Sequence, residues 1–124
     1  KQKNLPEFEI WGTGKPIREW AYVDDVVAVM VKSIELETDL LYPVNIGQNK
    51  GYSIRESAEF IAAALGYQGK LVFNTKYQDG APVKILDDKK FRSIFPDYIF
   101  SDHQKGVAAT VEYYQSVLGS TVKK

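Results

Sequence analysis

Apolar residues recur at Val26, Val27, Met30, Val31 and Ile34, steps of three and four that lay one stripe along an α-helix. Asp24 stands where the N-cap belongs, and Asp25 falls in the first turn, where exposed amides favour a carboxylate. The pattern therefore predicts a helix from there to about Glu37, with its apolar stripe buried. A second helix is expected from Ile54 to Leu65. Ser53 and Glu56 have the spacing of a capping box, and Gly66 can take the left-handed conformation that ends the helix. Its buried face would hold Ala58, Ile61, Ala62 and Leu65. A short helix from about Asp88 to Ile94 stops before Pro96. The last helix is expected to be capped by Ser101 with Gln104, to bury Val107, Val111, Tyr114 and Leu118, and to end at Gly119 with a frayed tail over Ser120–Lys124.

Strand signals lie between these helices. Glu7 to Trp11 reads as a strand, Gly12 to Pro16 as a turn of the hairpin kind, and Ile17 to Val23 as a second strand. Tyr42 to Ile46 reads as a short strand closed by Gly47, and Lys70 to Asn74 alternates weakly. The stretch from Thr75 to Pro82 is a loop, because it holds Gln78-Asp79-Gly80-Ala81-Pro82. No internal repeat is visible. The pattern predicts one α/β unit of α+β-like character over residues 1–124, with a small mixed sheet and three to four helices. So few and such short strands are marginal by themselves and are better explained as packing on a partner domain.

Composition narrows the chemistry. The 124 residues include 16 basic and 16 acidic ones, so the summed charge draws the chain neither to nucleic acid nor to a membrane. There is no cysteine and one histidine, His103, which excludes thiolate chemistry and multi-histidine metal sites. No apolar run approaches the roughly 20 residues that span a bilayer, and the cytoplasm is the expected compartment. A nicotinamide enzyme of the doubly wound class needs a glycine-rich strand–turn–helix. Gly12-Thr13-Gly14 lacks a third glycine and leads into a strand. His103 opens an amphipathic helix and reads as a surface or capping residue. The pairs Asp24-Asp25 and Asp87-Asp88 read as helix-start carboxylates. Neither a catalytic residue nor a metal site is expected in this chain.

The run Ile10-Trp11-Gly12-Thr13-Gly14-Lys15-Pro16-Ile17-Arg18-Glu19-Trp20-Ala21-Tyr22-Val23-Asp24-Asp25 resembles the segment that opens the carboxy-terminal part of extended short-chain dehydrogenases acting on nucleotide sugars, the NAD-dependent epimerase/dehydratase family. Asn45-Ile46-Gly47 followed by Ser53-Ile54-Arg55-Glu56-Ser57-Ala58 is similar to that family's strand, glycine and helix. Asp79-Gly80-Ala81-Pro82-Val83-Lys84-Ile85-Leu86-Asp87 resembles a stretch of its GDP-L-fucose synthase branch, which carries out 3,5-epimerisation and 4-reduction of GDP-4-keto-6-deoxymannose. The chain departs from that branch at Val83, where a second basic residue is usual, at Tyr77-Gln78, and at Ser93-Ile94-Phe95-Pro96.

The resemblance implies that Trp11, Arg18, Asp79 and Lys84 face a nucleotide-sugar, with a GDP-sugar favoured. The residue types suit this. Arg18 offers a planar fork for a diphosphate and Lys84 a point charge. Trp11 can wall a ring, and Asp79 can accept from hydroxyl or ring N–H donors or merely shape its turn. It further implies NADP or NAD as cofactor of the complete enzyme and none in this chain, and a missing amino-terminal Rossmann half as partner. A homodimer stays open. The family's Tyr-x-x-x-Lys pair is absent, so the chain alone is expected to be inactive. The alternatives are a UDP- or dTDP-sugar epimerase or dehydratase, and a non-catalytic carbohydrate- or protein-binding domain.

Overall fold

Strand signals too weak to stand alone form two separate sheets in the computed structural model, which describes residues 5–37 and 42–121. In chain order the elements are β1 (Glu7–Trp11), β2 (Ile17–Arg18), α1 (Val23–Ile34), β3 (Tyr52–Ser53), α2 (Ile54–Leu65), β4 (Lys70–Asn74), β5 (Val83–Lys84), α3 (Lys89–Ile94) and α4 (His103–Thr121). β1 pairs in parallel with β4, Trp11 opposite Asn74. β2 lies between β3, antiparallel, and β5, parallel. The Gly12–Pro16 segment is thus no hairpin turn, since it carries the chain from one sheet to the other. The second strand is two residues long rather than reaching Val23, because the ladder ends where the partners β3 and β5 end.

Helix α1 corrects the pattern reading most. It starts at Val23 and ends at Ile34, and Tyr22, not Asp24, occupies the N-cap without a side-chain bond. The inward flank carries Asp25 and Val29, whereas Val27, Met30, Val31 and Ile34 are exposed by between 50% and 82%. The reason is what the helix meets. Asp25 accepts from the Ser101 backbone N–H at 3.0 Å, the Ser101 hydroxyl at 3.2 Å and the Tyr98 hydroxyl at 3.3 Å. A buried carboxylate so bonded fixes the helix rotation, and the apolar stripe is left facing outward. Beside α1, Tyr42 to Ile46 forms no ladder among the described residues, contrary to expectation.

The small core centres on Phe91 of α3, 1% exposed, against Val29. The rings of Phe95, Tyr98 and Phe100 surround Phe91 at centroid distances of 5.3–6.0 Å. Arg92 closes this cluster, with Nε 3.1 Å from Asp88 Oδ2 and Nη1 donating to the Tyr98 carbonyl at 2.6 Å.

Helix α2 has both halves of its capping box and ends on Gly66 at φ +66°, as its local sequence dictates. Its buried residue is Ser57, while Ile61 and Leu65 are nearly half exposed. They face Val107, Val111, Tyr114 and Leu118 of α4 across an open groove of about 970 Å³. Helix α4 is capped by Asp102, whose carboxylate accepts the Lys105 N–H at 3.2 Å, because Ser101 is engaged by Asp25. It runs through Gly119 to Thr121, and the rest of the expected frayed tail lies outside the described residues. The accessible surface totals 9628 Å², against roughly 6,700 Å² for a compact monomer of this mass. No helix among the described residues is long and apolar enough to cross a membrane.

Candidate nucleotide-sugar site

The crossover between the sheets builds one wall of the site. Gly12 and Gly14 sit at φ +87° and +77°, the left-handed region that glycine tolerates. A Cβ on Gly12 would strike the Asp79 carboxylate, and one on Gly14 would strike the Phe73 ring. These glycines thus let the chain approach itself. Asp79 accepts the Thr13 backbone N–H at 2.8 Å and the Thr13 hydroxyl at 2.5 Å. Those bonds hold its carboxyl below the usual range, with lesser help from Lys15 and Arg18. Both Asp79 oxygens are engaged, so its geometry is that of a latch tying the 75–82 loop to the crossover.

Arg18 and Lys84 are register partners on β2 and β5. Partners across a ladder project to the same face, so two cations stand side by side. Arg18 is half-buried and its Nη1 donates to the carbonyls of Ile17 at 2.7 Å and Ala81 at 2.8 Å, which steadies the fork while Lys84 stays exposed. Neither forms an ion pair with a described carboxylate. Adjacent like charges are unfavourable, and an anion bridging them reverses that cost. Arg55, which the sequence reading did not single out, stands near this corner, its guanidinium 3.8 Å over the Phe73 ring.

Trp11 is 67% exposed at the end of β1, its ring stacked on Tyr77 at 4.4 Å and 17°. Its Nε1 donates to Glu9 at 3.2 Å, and Glu9 also accepts from Asn74 Nδ2 at 3.0 Å. The 75–82 loop thus links three of the expected residues, through the Trp11–Tyr77 stack, the Asp79–Thr13 bonds and the Arg18–Ala81 bond, and Lys84 lies opposite Arg18 on β5. None of the four lines the groove between α2 and α4.

Residues missed from sequence hold this corner. Glu19, inside the Arg-Glu-Trp run, accepts from the backbone N–H of Gln48 at 2.5 Å and of Leu86 at 2.7 Å, tying β2 to the segments that follow β5 and Ile46. His103 is not a surface cap. Its Nε2 lies 3.1 Å from the Ser57 hydroxyl, and its ring packs among Trp20, Tyr52 and Phe60. Burial lowers its pKa, against the opposing pull of Asp102 and Glu56. Of the acidic pairs, Asp25 binds across the fold as described, Asp88 pairs with Arg92, and Asp87 accepts the Lys89 N–H at 2.9 Å.

The described residues do not fit a nicotinamide dinucleotide. The space beside Gly12 and Gly14, where a pyrophosphate would approach backbone amides, is filled by Asp79 and Phe73, and the turn leads into β2 rather than a helix. The 75–82 loop instead connects two features, the exposed stack of Trp11 on Tyr77 and the backbone carbonyl of Ala81 that accepts from Arg18, whose register partner is Lys84.

Residues 1–47 match the model of the NAD dependent epimerase/dehydratase family. GDP-L-fucose synthase of Escherichia coli is 32% identical over 120 residues, covering 90% of this chain and 37% of its own length. The solved GDP-L-fucose synthetase of Naegleria fowleri superposes with TM-score 0.82 at 23% identity, over 89% of this chain and 34% of that one. A GDP-mannoheptose C4 reductase of Campylobacter jejuni, solved with NADP bound, gives TM-score 0.71 at 31% identity, over 88% and 35%. The chain is similar, over most of its length, to the carboxy-terminal part of GDP-L-fucose synthases, and the NAD dependent epimerase/dehydratase model matches its first 47 residues. It spans little more than a third of the length of those relatives.

Proposed function

We propose that this chain forms the nucleotide-sugar site of an NAD(P)-dependent epimerase/reductase of the GDP-L-fucose synthase kind. In the complete cytoplasmic enzyme the substrate is a GDP-sugar, and the reaction is 3,5-epimerisation and 4-reduction of GDP-4-keto-6-deoxymannose. The observation that carries this reading is the pairing of Arg18 with Lys84 across β2 and β5, two cations in no ion pair with a described carboxylate. Arg18 supplies charge-assisted bonds from a fork already steadied by Ala81, and Lys84 adds a compact charge. Asp79 acts by holding the wall in place.

The nicotinamide cofactor belongs to the part of the enzyme that precedes this segment in its relatives, with NADP favoured because the similar C4 reductase was solved with it. The same part covers the outward stripe of α1 and gives Tyr42–Ile46 a strand partner, which accounts for the excess exposed surface. The chain alone holds neither a hydride site nor a Tyr-x-x-x-Lys proton donor, so it should not turn over substrate. Calorimetric titration of GDP and UDP into the complete enzyme and its Arg18→Ala variant tests the reading. Tighter binding of GDP than UDP, lost with Arg18, is expected. Stronger UDP binding would transfer the site to the UDP-sugar enzymes, and no dependence on Arg18 would remove the site from this corner.

A further inference from the structure

Tyr77 lies outside every motif that points to the nucleotide-sugar, yet its ring is stacked on Trp11 at 4.4 Å and 17°. A stacked pair in a core buries its outer faces; here Trp11 is 67% and Tyr77 44% exposed. Both rings are nevertheless held on ordered backbone. Trp11 is pinned through Glu9 to Asn74. Tyr77 follows a turn in which Asn74 accepts the backbone N–H of Lys76 at 3.1 Å and of Tyr77 at 3.3 Å. Two residues on, Asp79 latches the same loop to Thr13. An exposed but pre-ordered aromatic surface loses little entropy when a ring lands on it.

The same loop ends at the cation pair. Ala81 accepts from Arg18 Nη1 at 2.8 Å, and a Cβ on Gly80 would come within 3.2 Å of Arg18 Nη2. The four Cα-to-Cα steps from Tyr77 to Ala81 reach at most about 14 Å, the scale of a nucleoside. One short loop therefore bears Tyr77 of the aromatic stack at one end and, at the other, the carbonyl that steadies the Arg18 fork. We propose that Tyr77 is a base-binding residue, and that the Trp11–Tyr77 stack receives the heteroaromatic ring of the nucleoside diphosphate whose phosphates Arg18 and Lys84 hold. This rests on the function proposed above. A planar base matches a parallel two-ring stack better than a puckered sugar, and stacking tolerates different bases, so Tyr77 sets affinity for the nucleoside rather than the choice of base.

The test uses the complete enzyme in a Trp20→Phe background, which leaves Trp11 as the one tryptophan of this segment. GDP and base-free pyrophosphate are titrated into the parent, Tyr77→Phe, Tyr77→Ala and Arg18→Ala, with thermal melts to show that each folds. Removing the stack should weaken GDP about tenfold in Tyr77→Ala, leave pyrophosphate unchanged and be rescued in Tyr77→Phe, because the ring and not the hydroxyl does the binding. GDP should also quench the part of the emission that Trp11→Phe removes, and pyrophosphate should not. If Arg18→Ala weakens GDP while Tyr77→Ala leaves it unchanged, the Tyr77 proposal is overturned and the functional reading stands. If neither variant changes GDP binding, both fall. Equal weakening of GDP and pyrophosphate in Tyr77→Ala would make Tyr77 a loop-shaping residue and overturn its role at the base.

Discussion

Asp79 holds Thr13 twice across 66 positions, accepting its backbone N–H at 2.8 Å and its hydroxyl at 2.5 Å. A residue expected to face ligand thus ties two loops together. Thr13→Val and Asp79→Asn should each weaken nucleotide binding, and the double variant should be no worse than the more damaging single one. Additive losses in the double-mutant cycle would show that Asp79 also touches the ligand. The folded-state pKa of Asp79 is depressed, so its contribution is present above its ordinary value near pH 4 and is lost as pH falls through the lower folded value. Acid melts of the Asp79→Asn variant should lack that component.

Burial depresses the pKa of His103, which gives the fold a second acid-sensitive point. Folding favours the neutral ring, so the stability it contributes is complete above the ordinary histidine value and declines as pH falls toward the folded one. Melting temperature should drop as pH falls below the ordinary histidine value, and His103→Phe in a Ser57→Ala background should flatten that slope. An unchanged slope in the double variant would place the proton elsewhere.

Arg18→Ala should cost on the order of 2–3 kcal/mol of GDP binding in the complete enzyme, and Arg18→Lys should recover only part, since an ammonium cannot reproduce the fork. Two of its bonds go to backbone carbonyls, so a small fall in melting temperature is expected alongside. A large stability loss with unchanged affinity would make Arg18 a strand clip rather than a ligand contact.

The outward stripe of α1 separates the segment from the complete enzyme. Val31 is 54% exposed here, so Val31→Glu should leave the isolated chain as stable as before and reduce its binding of a hydrophobic dye. In the complete enzyme the same change should cost at least about 2 kcal/mol, because it buries an unpaired charge. Equal melting shifts in both forms would show that the remainder of the enzyme does not cover this face.

Sequence alone determined the features set by neighbours in the chain. The capping box at Ser53 and Glu56, the left-handed stop at Gly66, and the extents of β1 and β4 follow from local caps, turns and alternation, and each stands where the residues predict. The family motifs were equally legible, since they are contiguous. Tertiary structure decided what depends on distant partners. A period of three and four specifies a helix with an apolar stripe but not what that stripe meets, and Asp25, bonded to Ser101, turned α1 so that Val27, Met30, Val31 and Ile34 face outward. The two-residue strands β2, β3 and β5 carry no readable alternation, because they exist only as each other's hydrogen-bond partners. Hence the juxtaposition of Arg18 with Lys84, the stacking of Tyr77 on Trp11 and the latching of Asp79 to Thr13 were settled by ladders and loop contacts spanning some 66 positions, which no local pattern encodes.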